Sequence, residues 1–104
     1  MSNIIVLLNE RLTVETRWIL AVLLKEEREI PKQELWQLVN EQHGERINSD
    51  KKLIATRHFL DNFINRLEGA ALVNLTKLGP VKLYSISDLG KQVLHQSQNK
   101  GANA

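Results

Sequence analysis

The sequence predicts one mainly α-helical domain that carries a small β-hairpin. Apolar residues recur at helical spacing through most of the chain before Gly69, and beyond it two runs rich in Leu, Val, Ile, Thr and Tyr flank Gly79-Pro80. The 104 residues, 42% of them hydrophobic and 25% charged, suffice for one small core but not for two. We therefore expect a single domain over residues 1–96 and a disordered polar tail over residues 97–104.

The first part of the chain predicts a helix and an apolar terminal segment. Thr13 offers a side-chain oxygen that can cap a helix over residues 14–27, where apolar residues recur at helical spacing. Before it, residues 1–12 carry an apolar patch that could form a short helix and that something must cover. The patch consists of Ile4, Ile5, Leu7 and Leu8. We expect a second copy of the chain to cover it, so these four residues and Trp18 form the predicted interface of a homodimer.

A short strand and a second long helix follow. Glu29 and Ile30 predict the strand, and Pro31 stands at a position compatible with the first turn of the helix, where a missing N–H group is tolerated. Gly44 supplies the expected end of this helix. Its apolar face consists of Leu35, Leu38 and Val39.

The link after this helix ends on residues that favour helix starts. These residues are Asn48, Ser49 and Asp50. We therefore expect the next helix to begin near Ser49 and to end at Gly69. Together the two helices predict a helix-turn-helix over residues 31–69, with a link, HGERINS, that is longer than the usual ~3–4 residues.

The last third of the chain predicts the hairpin and a final helix. The runs on either side of Gly79-Pro80 predict two strands joined by a tight turn, and the hairpin takes residues 70–87. Ser87 and Asp88 then cap a last helix that continues through Val93 and Leu94.

Charge is unevenly distributed along the chain although the net charge is only +2. Residues 1–45 carry 5 Lys/Arg against 8 Asp/Glu, a balance of −3. Residues 46–82 carry 7 against 3, a balance of +4, and residues 83–104 add 2 against 1. A cationic stretch that coincides with the helix-turn-helix link, its second helix and the hairpin is the pattern expected of a nucleic-acid surface.

A helix-turn-helix followed at once by a hairpin resembles the winged-helix superfamily of DNA-binding proteins, in which the hairpin is the wing. The likeness covers roughly residues 13–96 and rests on ELWQLV, LDNFINRLEGAALV and KLYSISDLGKQVL. The last segment and the chain length also look like the small DNA-binding adaptors of tubulin-type plasmid partition systems. The resemblance implies a winged helix-turn-helix fold, mainly α with a small β-hairpin, and double-stranded DNA as a partner.

In such a fold, the second helix of the pair would present its N-terminal part to the major groove. Arg57 is the candidate for reading guanine, and Thr56 for contacting a thymine methyl group or a phosphate. Phosphate contacts are predicted from the link, the helix start and the two sides of the wing tip. These contacts are Arg46, the backbone near Ser49, Lys51, Lys52, Lys77 and Lys82.

Some of these residues have other interpretations. Arg57 could instead pair with Asp61 one helical turn later, and exposed lysines can simply be solvated. Trp18 and Trp36 lie in apolar helical patterns that favour the core or an interface over base stacking. The acidic run around Glu27 is either a solvated face or a docking site for a protein partner.

Several classes of function lack the residues they need. With no cysteine, the chain has no disulfide or thiolate site, which suits the cytoplasm, where we expect the protein to act. His43, His58 and His95 are scattered without a paired acidic motif, so we expect no metal or other cofactor. No nucleophile elbow or phosphate-binding glycine loop supports an enzyme. The longest apolar run, WILAVLL, is far shorter than the ~20 residues that cross a bilayer, so no membrane partner is expected.

The predicted function is therefore sequence-specific binding of double-stranded DNA by a non-catalytic homodimer. Two roles remain open at this point: a transcriptional repressor, or a centromere-binding adaptor that joins plasmid DNA to a filament-forming partner protein. The alternative from another class is a winged helix that binds only protein.

Overall fold

The computed structural model describes the backbone of residues 2–103 and the side chains of residues 4–96. Within that part of the chain, five helices and three strands follow one another. They are α1 (Ser2–Glu10), α2 (Val14–Glu26), β1 (Ile30–Pro31), α3 (Lys32–Ile47), α4 (Arg57–Gly69), β2 (Val73–Leu78), β3 (Val81–Ile86) and α5 (Asp88–Asn103). The strands form an antiparallel sheet in the order β1-β3-β2. The predicted fold class, mainly helical with a small hairpin, is confirmed.

The core lies where α2, α3, α4 and α5 meet the inner face of the sheet. Its members are almost wholly removed from water, and each buried Leu or Ile contributes roughly 1.5–3 kcal/mol relative to an exposed one. They include Ile19, Leu20 and Leu23 of α2, Leu35 and Val39 of α3, Leu60, Ile64 and Leu67 of α4, Tyr84 of β3 and Val93 of α5. The two helices that matter for the site, α3 and α4, are thus held on one shared core.

The start of α2 is fixed as the sequence predicts. The Thr16 amide donates to the Thr13 hydroxyl at 3.2 Å, and the Thr13 amide donates to the Thr16 hydroxyl at 2.8 Å. This reciprocal pair satisfies backbone groups that a helix start leaves without partners. The helix ends when Glu27 adopts a left-handed conformation, with φ of 54°.

The exit of the wing is built by a serine and a glycine. The Ser87 hydroxyl accepts from the Gly90 amide at 2.9 Å, which caps α5, and donates to the Ala71 carbonyl at 2.7 Å. The Ser87 amide donates to the Leu72 carbonyl at 3.1 Å. A Cβ on Gly90 would lie 2.2 Å from that same carbonyl oxygen, so no larger residue fits without moving backbone. The YSISDLG segment therefore attaches α5 to the base of the wing.

The predicted boundaries between α3 and α4 are wrong. Helix α3 continues past Gly44 to Ile47 and ends when Asn48 adopts a left-handed conformation with φ of 51°. Gly44 is needed for another reason, because a Cβ there would lie 2.8 Å from the Ser49 carbonyl oxygen as the chain turns back. Helix α4 does not begin near Ser49 but at Arg57, so residues 48–56 form a loop.

Two smaller boundaries also differ from the prediction. The first strand is Ile30–Pro31, and Pro31 precedes α3 in an extended conformation instead of occupying its first turn. At the other end, α5 extends to Asn103, so the backbone of residues 97–103 is helical where the sequence predicts a disordered tail. Ala104 lies outside the described residues.

The loop of residues 48–56 is attached to α3 through the main chain of Ile54. The Asn40 side chain accepts from the Ile54 amide at 2.8 Å and donates to its carbonyl at 3.0 Å. The Trp36 indole N–H donates to the same carbonyl at 2.8 Å. The Ile54 side chain is 1% exposed and belongs to the core. These contacts set the path of the loop and hence the point at which α4 begins.

Replacing Gly90 by alanine tests the close approach at the wing exit. We expect Gly90→Ala to lower the free energy of unfolding by about 3 kcal/mol, because the new methyl group overlaps the Leu72 carbonyl. Gly69→Ala is the matched control, since nothing lies within 4 Å of its added Cβ, and it should change stability by less than ~1 kcal/mol. Urea denaturation of both variants measures the difference. Equal stabilities would contradict the packing described here.

Replacing Asn40 by alanine tests the attachment of the loop. Asn40→Ala leaves the Ile54 amide without its partner, and we expect a loss of about 1–3 kcal/mol in unfolding free energy. Gln37→Ala, an exposed position on the same helix, should have little effect. Hydrogen exchange of the Ile54 amide distinguishes local release of the loop from global unfolding. Unchanged protection in Asn40→Ala would show that the loop is held by other contacts.

Candidate nucleic-acid interface

The exposed face of α4 is mainly polar, with one exposed aromatic residue, Phe59. Leu60, Ile64 and Leu67 point into the core at helical spacing, so the residues on the opposite side of the helix face outward. The exposed residues of this helix after Arg57 are His58, Phe59, Asn62, Asn65, Arg66, Glu68 and Gly69, and Phe59 is 51% exposed. Amide, imidazole and guanidinium groups on one helix face are donors and acceptors of the kind that contact base edges and phosphates.

Arg57 is the first residue of α4 and is exposed. Its guanidinium Nη2 donates to the side-chain carbonyl of Gln33, in the first turn of α3, at 3.2 Å. The alternative partner, Asp61, lies 2.7 Å from the ammonium group of Lys32. Arg57 is therefore oriented by a neutral side chain, and its charge is not cancelled by a carboxylate.

The N-terminus of α4 lies at Arg57. Thr56 caps it, accepting from the Phe59 amide at 3.2 Å through its hydroxyl. The expected helix start near Ser49 is wrong, because Ser49 instead closes a local turn by accepting from the Lys51 amide at 3.1 Å. The backbone amides available to a phosphate are those of the first turn after Thr56.

The lysines of the link lie on the loop and not on a helix. Lys51 and Lys52 are both exposed. The ammonium group of Lys52 lies 5.6 Å from the centroid of the Trp36 ring, a cation–π contact that draws it toward α3. Arg46 is exposed in the last turn of α3. Arg46, Lys51 and Lys52 are therefore all surface cations, but Arg46 lies on a helix and the two lysines lie on the loop.

The wing brings two predicted residues together. Lys77 and Lys82 are directly opposite each other in the antiparallel register of β2 and β3, and both are exposed. Like charges at opposed positions destabilise a strand pair by themselves. An anion close to both ammonium groups would relieve that repulsion.

Ion pairing leaves the cations of residues 46–82 available. Among the described residues, the three ion pairs take their cation from residues 1–45: Arg28 pairs with Glu26 and Glu34, and Lys32 with Asp61. The Glu34 carboxylate has a lowered pKa because it accepts a hydrogen bond from Arg28. Arg28 is thus neutralised within the acidic part of the chain, Lys32 pairs with an acidic residue of the basic part, and no cation of residues 46–82 takes part in a described ion pair.

Sequence reasoning missed part of this surface. The amides Asn62 and Asn65 were not predicted, because α4 was placed too early in the chain, and Gln33 was not predicted because it meets Arg57 across 24 residues of sequence. The apolar stripe from Leu60 to Leu67 carried the signal that could have located the opposite face.

The predicted dimer residues divide into two groups. Ile4 and Leu7 are 58% and 49% exposed on α1, whereas Ile5, Leu8 and Trp18 pack against the core of their own chain. Helix α1 is held by buried Asn9, whose amide group donates to the Val93 carbonyl of α5 at 3.4 Å. The outward apolar side chains of α1 are therefore presented on a fixed helix.

Both tryptophans contact their own chain. The Trp18 ring meets His43 edge-on, with 5.3 Å between centroids. Trp36 donates to the Ile54 carbonyl. This agrees with their interpretation as packing residues.

The described residues offer neither a metal site nor a membrane-spanning helix. They hold no group of three or more His, Cys, Asp or Glu side chains that could bind a metal ion. In the same part of the chain, no helix combines the length and apolar character needed to cross a membrane. Burial raises the pKa of Tyr84, a core residue of β3.

Comparison with known proteins identifies the family. No family model matches the chain. The DNA-binding protein TubR of Bacillus cereus is 32% identical to it over 105 residues, which cover 95% of this chain and 87% of the relative. Similarity that extends over nearly the whole of both chains includes α3, α4 and the wing, which together form a winged helix-turn-helix. The chain therefore belongs to the family of the DNA-binding protein TubR.

Proposed function

We propose that the protein is a non-catalytic, sequence-specific binder of double-stranded DNA that acts as a homodimer. The observation that carries the proposal is the start of α4, where an exposed arginine, a mainly polar helix face and a helix N-terminus capped by Thr56 occur together in a TubR family member. We further propose that its role is that of a centromere-binding adaptor in a tubulin-type plasmid partition system. The relationship to TubR supports this role over transcriptional repression.

Base reading is assigned to Arg57. Its hydrogen bond to Gln33 uses one guanidinium nitrogen, so the remaining N–H groups can reach the O6 and N7 atoms of guanine. Gln33 restricts the rotamers of a long side chain before DNA arrives, which reduces the entropy lost on binding. Gln33 is thus a positioning residue for Arg57, and the outward amides of Asn62 and Asn65 extend the reading face.

Phosphate binding is assigned to the surrounding cations and to the helix start. Arg46, Lys51 and Lys52 lie on the two elements that precede α4, and the wing lysines lie on the element that follows it. Contacts on both sides of a reading helix fix its register on the duplex without reading sequence. Thr56 and the first-turn amides of α4 supply one further phosphate site.

Dimerisation is assigned to α1. Ile4 and Leu7, with Val14 at 56% exposure on α2, are apolar side chains that a second copy of the chain would cover. Pairing two copies doubles the phosphate contacts of an 11.9 kDa chain and presents two reading helices to related half-sites. In the partition role, the acidic face left outside the interface is available to a filament-forming partner.

Selection of bound fragments from the replicon that encodes the protein tests this proposal. We expect one cluster of repeats to be enriched, with two chains bound per pair of half-sites. Tandem repeats are the result expected for a centromere adaptor, and a single short palindrome would instead favour a repressor. If no fragment is enriched and no duplex is bound at low salt, DNA binding is wrong and the protein-only alternative gains support.

Titration of the enriched fragment with Arg57→Ala tests base reading. The variant should lose about 1–3 kcal/mol of specific binding per reading site and accept other bases at the position that Arg57 contacts. Gln33→Ala should show a smaller loss at the same base position, since Arg57 remains but is no longer oriented. Arg28→Ala is the matched control, because it removes a cation that is already paired with Glu34. If Arg57→Ala and Arg28→Ala lost specific affinity equally, Arg57 would contribute only its positive charge and not base reading.

Salt titration of Lys77→Ala and Lys82→Ala tests the wing. Each lost phosphate contact should reduce the slope of log K against log salt by about 0.9, and affinity should fall equally for all sequences. The free protein should be no less stable, since the opposed charges repel each other in the absence of DNA. A winged helix that binds only protein through an apolar surface would show almost no dependence on salt.

A further inference from the structure

The tip of the wing carries exposed apolar side chains on both sides of its turn. Leu78 is 68% exposed, the highest value among the large hydrophobic side chains that the structure describes, and Val81 is 44% exposed. Pro80, between them, is also exposed. The turn residues Gly79 and Pro80 are ordinary for a hairpin, so the exposed apolar surface comes chiefly from the strand ends on either side of them. An apolar tip that is left in water is a feature that a binding partner would bury.

The turn holds these side chains in a fixed arrangement. Leu78 and Val81 are directly opposite each other across the two strands. Gly79 has φ of 60° and is followed by a proline, whose φ is fixed near −65°, so the two-residue turn is of type II′. Pro80 cannot rotate about φ, so this residue of the turn has little backbone freedom to lose when it meets a partner.

Cations lie immediately behind this tip. Lys77 and Lys82 form the next cross-strand pair, and because side chains alternate along a strand they project from the opposite face of the ribbon. The wing end is therefore apolar on one face and cationic on the other. This composition fits a strongly anionic partner that also offers apolar surface at close range, which is the chemistry of sugar rings and base steps in a nucleic-acid groove.

We propose that the wing tip is an apolar wedge that enters the minor groove and bends the DNA. Leu78, Pro80 and Val81 press against sugars and partly unstack one base step, while Lys77 and Lys82 bind phosphates on the other wall of the groove. Proteins that insert apolar side chains in this way kink the duplex by roughly 20–90°. The inference rests on the proposed function, since it concerns DNA that the protein already binds.

A lipid surface has similar chemistry but fits the wing less well. Cationic residues beside apolar ones also bind anionic membranes. However, even a whole myristoyl chain gives only marginal membrane binding, and three small side chains bury less apolar surface than that. The wing also follows the proposed reading helix directly in sequence, because α4 ends at Gly69 and β2 begins at Val73.

End-to-end energy transfer on DNA tests the wedge. The probe is the fragment recovered in the selection above, carried on a duplex a few helical turns long with a donor and an acceptor at its ends. Wild-type protein should bring the ends closer, and Leu78→Ser with Val81→Ser should abolish that change. The serine variant should keep the salt slope of the wild type and bind within about tenfold of it, because the phosphate contacts are retained. The fluorescence of a 2-aminopurine placed at the base step under the wing should increase only with a protein that unstacks that step.

Two further variants control the measurement. Leu78→Met with Val81→Ile preserves apolar character and should bend DNA as the wild type does. Lys77→Ala with Lys82→Ala should reduce the salt slope, in contrast to the serine variant. All positions are exposed, so circular dichroism and the midpoint of thermal unfolding should match the wild type in each case.

The outcomes separate the wedge from DNA binding itself. If the wild type binds the fragment without bending it, or the serine variant bends it equally, the wedge is overturned and the proposed function stands. If no duplex is bound, both fall. If the wild type binds phosphatidylserine vesicles, the serine variant does not, and bending is the same in both, the tip serves a lipid surface and the wedge is overturned.

Discussion

The structure depends on the attachment of Ile54 to α3. The Asn40 side chain pairs with both backbone groups of Ile54, as a neighbouring strand would, and the Trp36 indole adds a second donor to the carbonyl. Residues 48–56 have no regular structure of their own, so these three hydrogen bonds and one buried isoleucine decide where the chain enters α4. An unsatisfied buried amide costs roughly 1–3 kcal/mol, which makes other loop paths unfavourable. The position of Arg57, three residues later, follows from this attachment.

A second fixed point lies at the other end of the same surface. Ser87 and Gly90 join the base of the wing to α5 through the Leu72 carbonyl, which has room for a glycine and for nothing larger. Helix α4 and the wing lie between these two fixed points, and their outward side chains are free of core packing. A rigid frame that carries exposed polar and cationic side chains is the arrangement that recognition requires, because base reading needs side chains that are held in place by their backbone.

Local chemistry made much of this fold predictable. The caps at Thr13 and Ser87 and the turn at Gly79-Pro80 satisfy rules that involve only neighbouring residues. The boundary between α3 and α4 did not follow from such rules, because Asn48 can either start a helix or end one in the left-handed conformation. What decides between these options is Asn40, fourteen residues before Ile54 in sequence, and no local pattern reveals that contact. The same reason explains why Arg57 was found but its partner Gln33 was not.

Charge follows the same division between frame and interface. Within residues 1–45, Arg28 and Lys32 form ion pairs. Lys32 pairs with Asp61, the acidic residue of α4 that lies nearer to Arg57 in sequence. That pair removes the carboxylate that would otherwise compete with DNA for the arginine. A cation from the acidic half therefore keeps the reading residue of the basic half available, so the two halves of the chain, opposite in net charge, act together at the start of α4. The proposed DNA surface is in this sense a product of the whole domain and not of the helix-turn-helix alone.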